Sequence, residues 1–249
     1  VEDLFLLRFE LLAAGALHES RLRARIAELM EARVAGARTL ADAHVDSVTC
    51  FAKCHHGWCY YPTQAGARHP GLSRDLLGEM VKACHARDIR VPAYITVCWD
   101  ERAAALHPDW LAVERDGRLL DRAPLAADGW RRLCMNTGMA DHVAAITEEV
   151  LSRYEVDGIF FDIVNTPNPA CFCNACRAQM EREGVDPTDD EALGDLSTRI
   201  RVAFMRRLSR LVRSIRKDAS IYFNGMVRVN SLPKDSMRQY LDCASHLEL

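Results

Sequence analysis

A chain of 249 residues, 49% apolar and 27% charged, carries enough hydrophobic side chain for a sizeable core, which excludes a disordered polymer. Its formal net charge of −3 provides no basic field to hold a phosphate backbone, which argues against nucleic acid as a partner. The apolar opening Leu4–Leu17 is broken by Arg8 and Glu10, so neither a signal peptide nor the roughly 18–20 apolar residues of a membrane span is found.

Residues 1–43 read as an atypical helical segment, with Arg21–Val34 rich in Arg, Ala, Leu and Glu. A first strand is expected over Ser47–Lys53, then a helix over Ser73–Arg87, where Leu76, Leu77, Met80, Val81 and Cys84 recur at three-to-four spacing. Ile89–Val97 is the second expected strand, Glu101–Leu106 a short helix with an acidic first turn, and Asp141–Tyr154 a helix with Val143, Ile146, Val150 and Leu151 on one face. Asp157–Ile163 reads as the third strand, followed by Pro167–Ala170 and the acidic stretch Asp186–Asp195 as insertions. Asp195–Arg216 is a long amphipathic helix whose basic stripe reads as a solvated outer face. Ser220–Gly225 and Cys243–Leu249 complete the set of strands.

These strands are apolar runs without strict alternation, as in a parallel sheet covered on both faces, and strand–helix–strand order implies right-handed crossovers. The expected fold class is α/β, a (β/α)8 TIM barrel of which five to six strands are visible. Residues 44–249 form its catalytic portion, expected to continue beyond residue 249.

In such a barrel the reacting groups project from the C-terminal ends of the strands. Polar residues stand at five of these ends: Lys53 to Trp58, Trp99 and Asp100, Asp162 and Asn165, Asn224, and His246 with Glu248. Together they describe one polar pocket with aromatic walls, suited to a sugar's hydroxyls and apolar faces. Asp162 follows Ile159-Phe160-Phe161, which places a carboxylate where the strand leaves the core. There it can attack an anomeric carbon, or it can cap the next turn or hold a cation. Acid/base work needs a second carboxyl group, and Glu248 is the best partner, with Asp100 and Glu101 as competitors. His55 and His56 suit hydroxyl binding above metal binding, or structural packing, and Trp58 and Trp99 are the aromatic walls to defend.

Ten cysteines, most of them inside apolar runs such as Cys50, Cys84, Cys98 and Cys243, fit a reducing, cytoplasmic setting. Cys171, Cys173 and Cys176 have thiolate spacing for a tetrahedral zinc with Cys134 as fourth ligand, the alternative being three reduced thiols in a loop. A four-thiolate site would be structural, so no cofactor is assigned to catalysis.

The stretch Phe51–Thr63 (FAKCHHGWCYYPT), with Arg74–Glu79 and Val91–Tyr94, resembles the α-L-fucosidase family, whose barrel carries Lys-His-His-Asp-Gly-Phe and then an Arg-Asp-Leu-(Val)-Gly-Glu helix. A group of glycoside hydrolases related to those fucosidases is closer still. It is similar in AKCHHGW, in Asn136-Thr137-Gly138, in DGIFFDI, in CxCxxCR and in Ser245–Glu248. The resemblance implies a retaining glycoside hydrolase with Asp162 as nucleophile and Glu248 as acid/base. Substrate contacts are then expected from His55, His56, Trp58, Trp99, Asn136, Asn224 and His246. Two departures stand out: the first fucosidase His falls on Cys54 and the Asp on His56, and Ile163 replaces the Gly after the nucleophile. The cysteine cluster resembles the zinc site of certain β-galactosidases on the same barrel, which adds a galactoside to the fucoside as a substrate. The expected partner is a carbohydrate, and a homo-oligomer is compatible with the sequence. The competing class is a catalytically inactive carbohydrate-binding or structural barrel module of a longer protein.

Overall fold

A computed structural model describes residues 36–120, 130–225 and 234–245, with side chains from residue 238 onward in the last stretch. The expected helix Arg21–Val34 and the candidates His246 and Glu248 lie outside the described residues. A six-stranded, mostly parallel sheet forms the centre of the α/β fold. Its strands are β1 (Cys50–Lys53), β2 (Trp58–Cys59), β3 (Ala67–Arg68), β4 (Pro92–Thr96), β5 (Gly158–Asp162) and β6 (Ser220–Phe223). They lie in the order β3-β2-β1-β4-β5-β6. β1, β4, β5 and β6 are mutually parallel and match the first four expected strands, β4 and β5 shortened at both ends, β1 at its start and β6 at its end.

The register sorts side chains into two layers. Phe51, Tyr94, Phe160 and Tyr222 are partners across the four parallel strands, with ring centroids 4.2–5.6 Å apart between neighbours. Ala52, Ile95, Phe161 and Phe223 point to the other face and are buried there. The helices are α1 (Leu76–His85), α2 (Glu101–Leu106), α3 (Met139–Arg153), α4 (Asn174–Glu183), α5 (Asp190–Ile215) and α6 (Lys234–Leu241), of which α1, α3 and α5 bury apolar side chains in one core with that second face, while α4 packs in the separate cysteine cluster. Residues 36–42 are also helical.

Several expectations change. Helix α1 starts at Leu76 and is capped by Asp75, whose carboxylate accepts the Gly78 N–H, because a side chain that satisfies an orphan N–H sets the first turn better than Ser73 does. The acidic stretch before residue 195 is no insertion: Asp189 caps α5, and Asp190 and Glu191 occupy its first turn, where the helix dipole favours them. Helix α4 lacks an apolar stripe, burying only Cys176 and Met180, and so left no periodic signal. The described start of the expected fifth strand, residues 243–245, is turn and bend. Its Ser245 N–H donates to Ile221 at 2.8 Å, so it still lies beside β6. The two-residue strands β2 and β3 are too short to show a period. The arginines of α5 reach exposed acids, Arg199 to Glu183 and Arg207 to Asp141, as expected of a solvated face.

Gly57 makes the reversal between β1 and β2 with φ +84°, and a Cβ there would stand 2.2 Å from Asp100 Oδ1. Gly57→Ala combines left-handed backbone with a clash against a buried carboxylate, and should cost about 2–4 kcal/mol. Urea denaturation checks this, and a loss under 1 kcal/mol would show that the turn adapts.

Candidate active site

Asp162 ends β5 on the same face as Phe160, opposite Thr96 of β4, and is 7% exposed. Three neighbouring segments converge on its carboxylate. Oδ1 accepts from Asn224 Nδ2 at 2.6 Å, just past β6, and from the Ile163 N–H at 2.9 Å. Oδ2 accepts the Tyr94 hydroxyl proton from β4, and His55 Nε2, in the turn after β1, is 3.7 Å away. The carboxylate is thus fixed in orientation by donors from both flanking strands. Ile163 holds φ +58°, a left-handed conformation disfavoured for a β-branched residue and the one for which fucosidase glycine is suited. That strain is spent on turning the Ile163 N–H back onto Asp162.

An aromatic wall stands over His55. Its ring lies 5.2 Å from Trp99 and 5.5 Å from Trp130, and His56 packs edge-on against Trp130 at 4.6 Å. Both histidines are in a turn, so the opposite-face argument for a strand does not apply. The Trp99 indole Nε1 and Asn165 Oδ1 are buried without a hydrogen-bond partner among the described residues.

Below this layer Lys53 Nζ lies 2.7 Å from Asp100 Oδ2, both side chains being 1% exposed, and donates to the Thr96 carbonyl at 3.2 Å. Burial alone would push the Asp100 carboxyl up. The Lys53 ammonium, His142 and the Ala103 N–H outweigh it and hold the group well below the usual carboxylate range. Asp100 also caps α2 through Ala103. Glu101, 5% exposed, takes the Arg131 N–H at 2.6 Å and its Nε at 2.7 Å. Both rival carboxylates are therefore committed to structure.

His55, Trp99 and Asn224 gather around Asp162, with His56 joined through Trp130. Trp58 stands elsewhere: the chain reverses at Gly57, and its ring meets His69 and, at 4.6 Å, the Arg102 guanidinium. Asn136 faces the cysteines, because it follows Cys134 in a tight turn; its Nδ2 donates to Gln179 at 2.8 Å and to Cys176 Sγ at 3.7 Å. Tyr94, Thr96 and Trp130, which the sequence pattern does not single out, also stand around Asp162 and His55. Period-two alternation back from Asp162 through its strand partner could have found the first two.

Cys134, Cys171, Cys173 and Cys176 are buried, with sulfur atoms all within 4.8 Å of one another. A zinc tetrahedron with bonds of about 2.3 Å has sulfur–sulfur edges of about 3.8 Å, so the donor set fits such an ion. Backbone N–H groups of Val113 and Cys173 point at Cys171 Sγ, and that of Asn136 at Cys134 Sγ, each at 3.4 Å. Hydrogen bonds from the other three thiols hold Cys173 far below the ordinary thiol value, and the same contacts push Cys134 up. Without a cation the four sulfurs cannot all carry charge.

Residues 34–163, just over half of the chain, match the family described as hypothetical glycosyl hydrolase 6. Among solved structures, the chain is similar to α-L-fucosidase isoenzyme 2 from Paenibacillus thiaminolyticus, at 33% identity and a TM-score of 0.77 over 87% of this chain and 32% of that one. It is also similar to a β-galactosidase from the Antarctic haloarchaeon Halorubrum lacusprofundi, at 16% identity and a TM-score of 0.65, covering 87% of this chain and 37% of that chain. The glycoside hydrolase domain of PgaB (BpsB) from Bordetella bronchiseptica follows at 15% identity and 0.56, over 86% and 62%. These last two likenesses concern the fold, which agrees with the α/β barrel class. The chain spans about a third of the fucosidase's length. No curated protein matches it. Among the described residues no helix is long and apolar enough to cross a membrane.

Proposed function

The chain belongs to the hypothetical glycosyl hydrolase 6 family, and from that premise we propose that it is a retaining glycoside hydrolase acting on a terminal fucoside- or galactoside-like sugar. The observation that carries the reading is Asp162, buried at the C-terminal end of β5 and oriented by Tyr94, Asn224 and the Ile163 N–H from three adjacent segments. In this reading a carboxylate oxygen of Asp162 bonds to the anomeric carbon as the glycosidic C–O bond breaks. Glu248 protonates the departing oxygen. Glu248 then takes a proton from water, whose oxygen attacks the same carbon and releases Asp162. His55, His56, Trp99, Asn224 and His246 contact the sugar, and residues 44–249 form the catalytic portion. No cofactor takes part in the chemistry. The resemblance in AKCHHGW and DGIFFDI, and the 33% identity to a fucosidase, support the sugar class.

A panel of nitrophenyl glycosides (α-L-fucoside, β-galactoside, α-galactoside) tests this directly. Release from the fucoside or a galactoside with retained anomeric configuration is expected. Release from none of them overturns the enzyme in favour of a binding module.

The cysteine group holds a structural zinc in this proposal. Metal analysis of the purified chain should give about one zinc per chain, and Cys176→Ser should lose it and lower Tm. A metal-free, equally stable wild type would refute it. All ten cysteines are buried and outside disulfides, which supports a cytoplasmic setting.

A further inference from the structure

Glu101 is a buried carboxylate to which the mechanism above gives no part. Such a group persists where donors share its charge, and three of them come from a residue 30 positions along the chain. Oε1 accepts the Arg131 N–H at 2.6 Å, Oε2 accepts Arg131 Nε at 2.7 Å, and Arg131 Nη2 donates to the Glu101 carbonyl at 2.8 Å. A plain ion pair would engage the guanidinium alone. Here the main-chain N–H is held as well, so the grip falls on the backbone beside Trp130.

On its other side Glu101 donates its own N–H to the His55 carbonyl at 3.0 Å. One residue thus ties the chain at both partners of a single contact: the buried Trp130 indole lies 5.5 Å from the His55 ring and, edge-on, 4.6 Å from the His56 ring. Glu101 is itself on a firm base. It opens α2 directly after Asp100, whose carboxylate caps that helix and meets Lys53 at 2.7 Å. Further along the segment, the Leu133 N–H donates to the Cys98 carbonyl at 2.7 Å, and the Arg132 carbonyl accepts from the Ala112 N–H at 2.8 Å. Those anchors begin two residues past Trp130, whereas the Glu101 bonds act on the very next residue.

We infer that Glu101 is a positioning residue: it clamps the Trp130 indole against the His55–His56 turn, and so sets the orientation of that turn toward the bound sugar. The clamp stands on these distances alone, whereas its effect on sugar binding rests on the glycoside hydrolase reading above.

Nuclear Overhauser contacts between the Trp130 indole and His56 ring protons, assigned by their loss in Trp130→Phe and His56→Asn, read the clamp in the folded chain. Wild type should show them. Glu101→Met fills a similar volume but accepts no hydrogen bond, and should weaken them by about threefold or more. Glu101→Gln breaks the ion pair yet keeps an oxygen for the Arg131 N–H, and should retain them. Their absence in wild type overturns the clamp, as does full strength in a folded Glu101→Met. Their loss in Glu101→Gln would mark simple charge pairing, and overturns it even if Glu101→Met does not fold.

Kinetics on the nitrophenyl glycoside that wild type hydrolyses test the role in binding. Glu101→Met should raise KM about tenfold with kcat within about threefold, and Glu101→Gln should restore KM. An unchanged KM in Glu101→Met, or a kcat that falls as far as KM rises, overturns that role. Absence of turnover in wild type refutes the enzyme reading and the binding role with it, while the indole–imidazole contacts still decide the clamp.

Discussion

Asp162→Asn should lower turnover of the hydrolysed aryl glycoside by a factor on the order of 10^4 or more, as the loss of a covalent nucleophile does. Stability should change little. The asparagine carbonyl can still accept from Asn224 and the Ile163 N–H at the Oδ1 position, and its amide can donate toward the Tyr94 oxygen at the other. The variant therefore separates chemistry from folding: activity collapses while the thermal transition stays within a few degrees. Activity within tenfold of wild type would remove Asp162 from the nucleophile role. Asp162→Gly adds a positive readout, because azide entering the vacated space should form a glycosyl azide of configuration opposite to the substrate. The same mechanism requires the Glu248 carboxyl about 5–5.5 Å from that of Asp162; a gap of roughly 6.5–9.5 Å in a crystal structure would indicate inversion instead.

Lys53→Met should be the most destabilising single change in the described residues near the site. It leaves Asp100 charged, 1% exposed and without its ammonium partner, which costs about 3–5 kcal/mol. For a chain of this size that is a fall in Tm on the order of 10 °C. Lys53→Met/Asp100→Asn removes both charges and should recover much of the loss, because no uncompensated charge remains. A double variant as unstable as the sum of its parts would show that packing, not charge, dominates. The pair also predicts an acid dependence. Asp100 is held below its unfolded value in the folded chain, so its stabilisation is complete above about pH 4 and is lost as the pH falls further, toward the folded value. The wild type should accordingly lose stability below about pH 4 more steeply than the double variant, measured by denaturant midpoints. Parallel curves would refute the linkage.

The legible parts of the fold share one property, a local signal strong enough to outweigh context. The four parallel strands are largely apolar runs, fully buried on the face of Ala52, Ile95, Phe161 and Phe223 and only partly on the other, and α1, α3 and α5 carry their apolar stripes openly. Asp162 was visible because a carboxylate directly after Ile159-Phe160-Phe161 has few places to go. Helix α4 was not, because its stability comes from Cys176 and Met180 packing into the cysteine cluster and not from an amphipathic pattern. Trp58 and Asn136 stand away from Asp162 for a related reason. Proximity in sequence to a strand end says which end of the barrel a residue occupies, but the Gly57 reversal and the turn after Cys134 decide which way it leaves.

Composition, apolar runs and strand-end polar residues were thus sufficient to establish an α/β chain with parallel strands, a carboxylate at the end of β5 and a four-thiol cluster. These follow from burial and period, which are properties of short stretches. Which carboxylates are tied to a buried or half-buried cation was decided only in three dimensions. Asp100 and Glu101 look as eligible as Asp162 along the chain, yet Lys53, 47 residues before Asp100, and Arg131, 30 residues beyond Glu101, claim them in space. The same holds for Tyr94 and Thr96, whose positions depend on strand register setting them opposite Phe160 and Asp162. A buried charge or hydroxyl is defined by its partner, and partners distant in sequence are supplied by the tertiary fold.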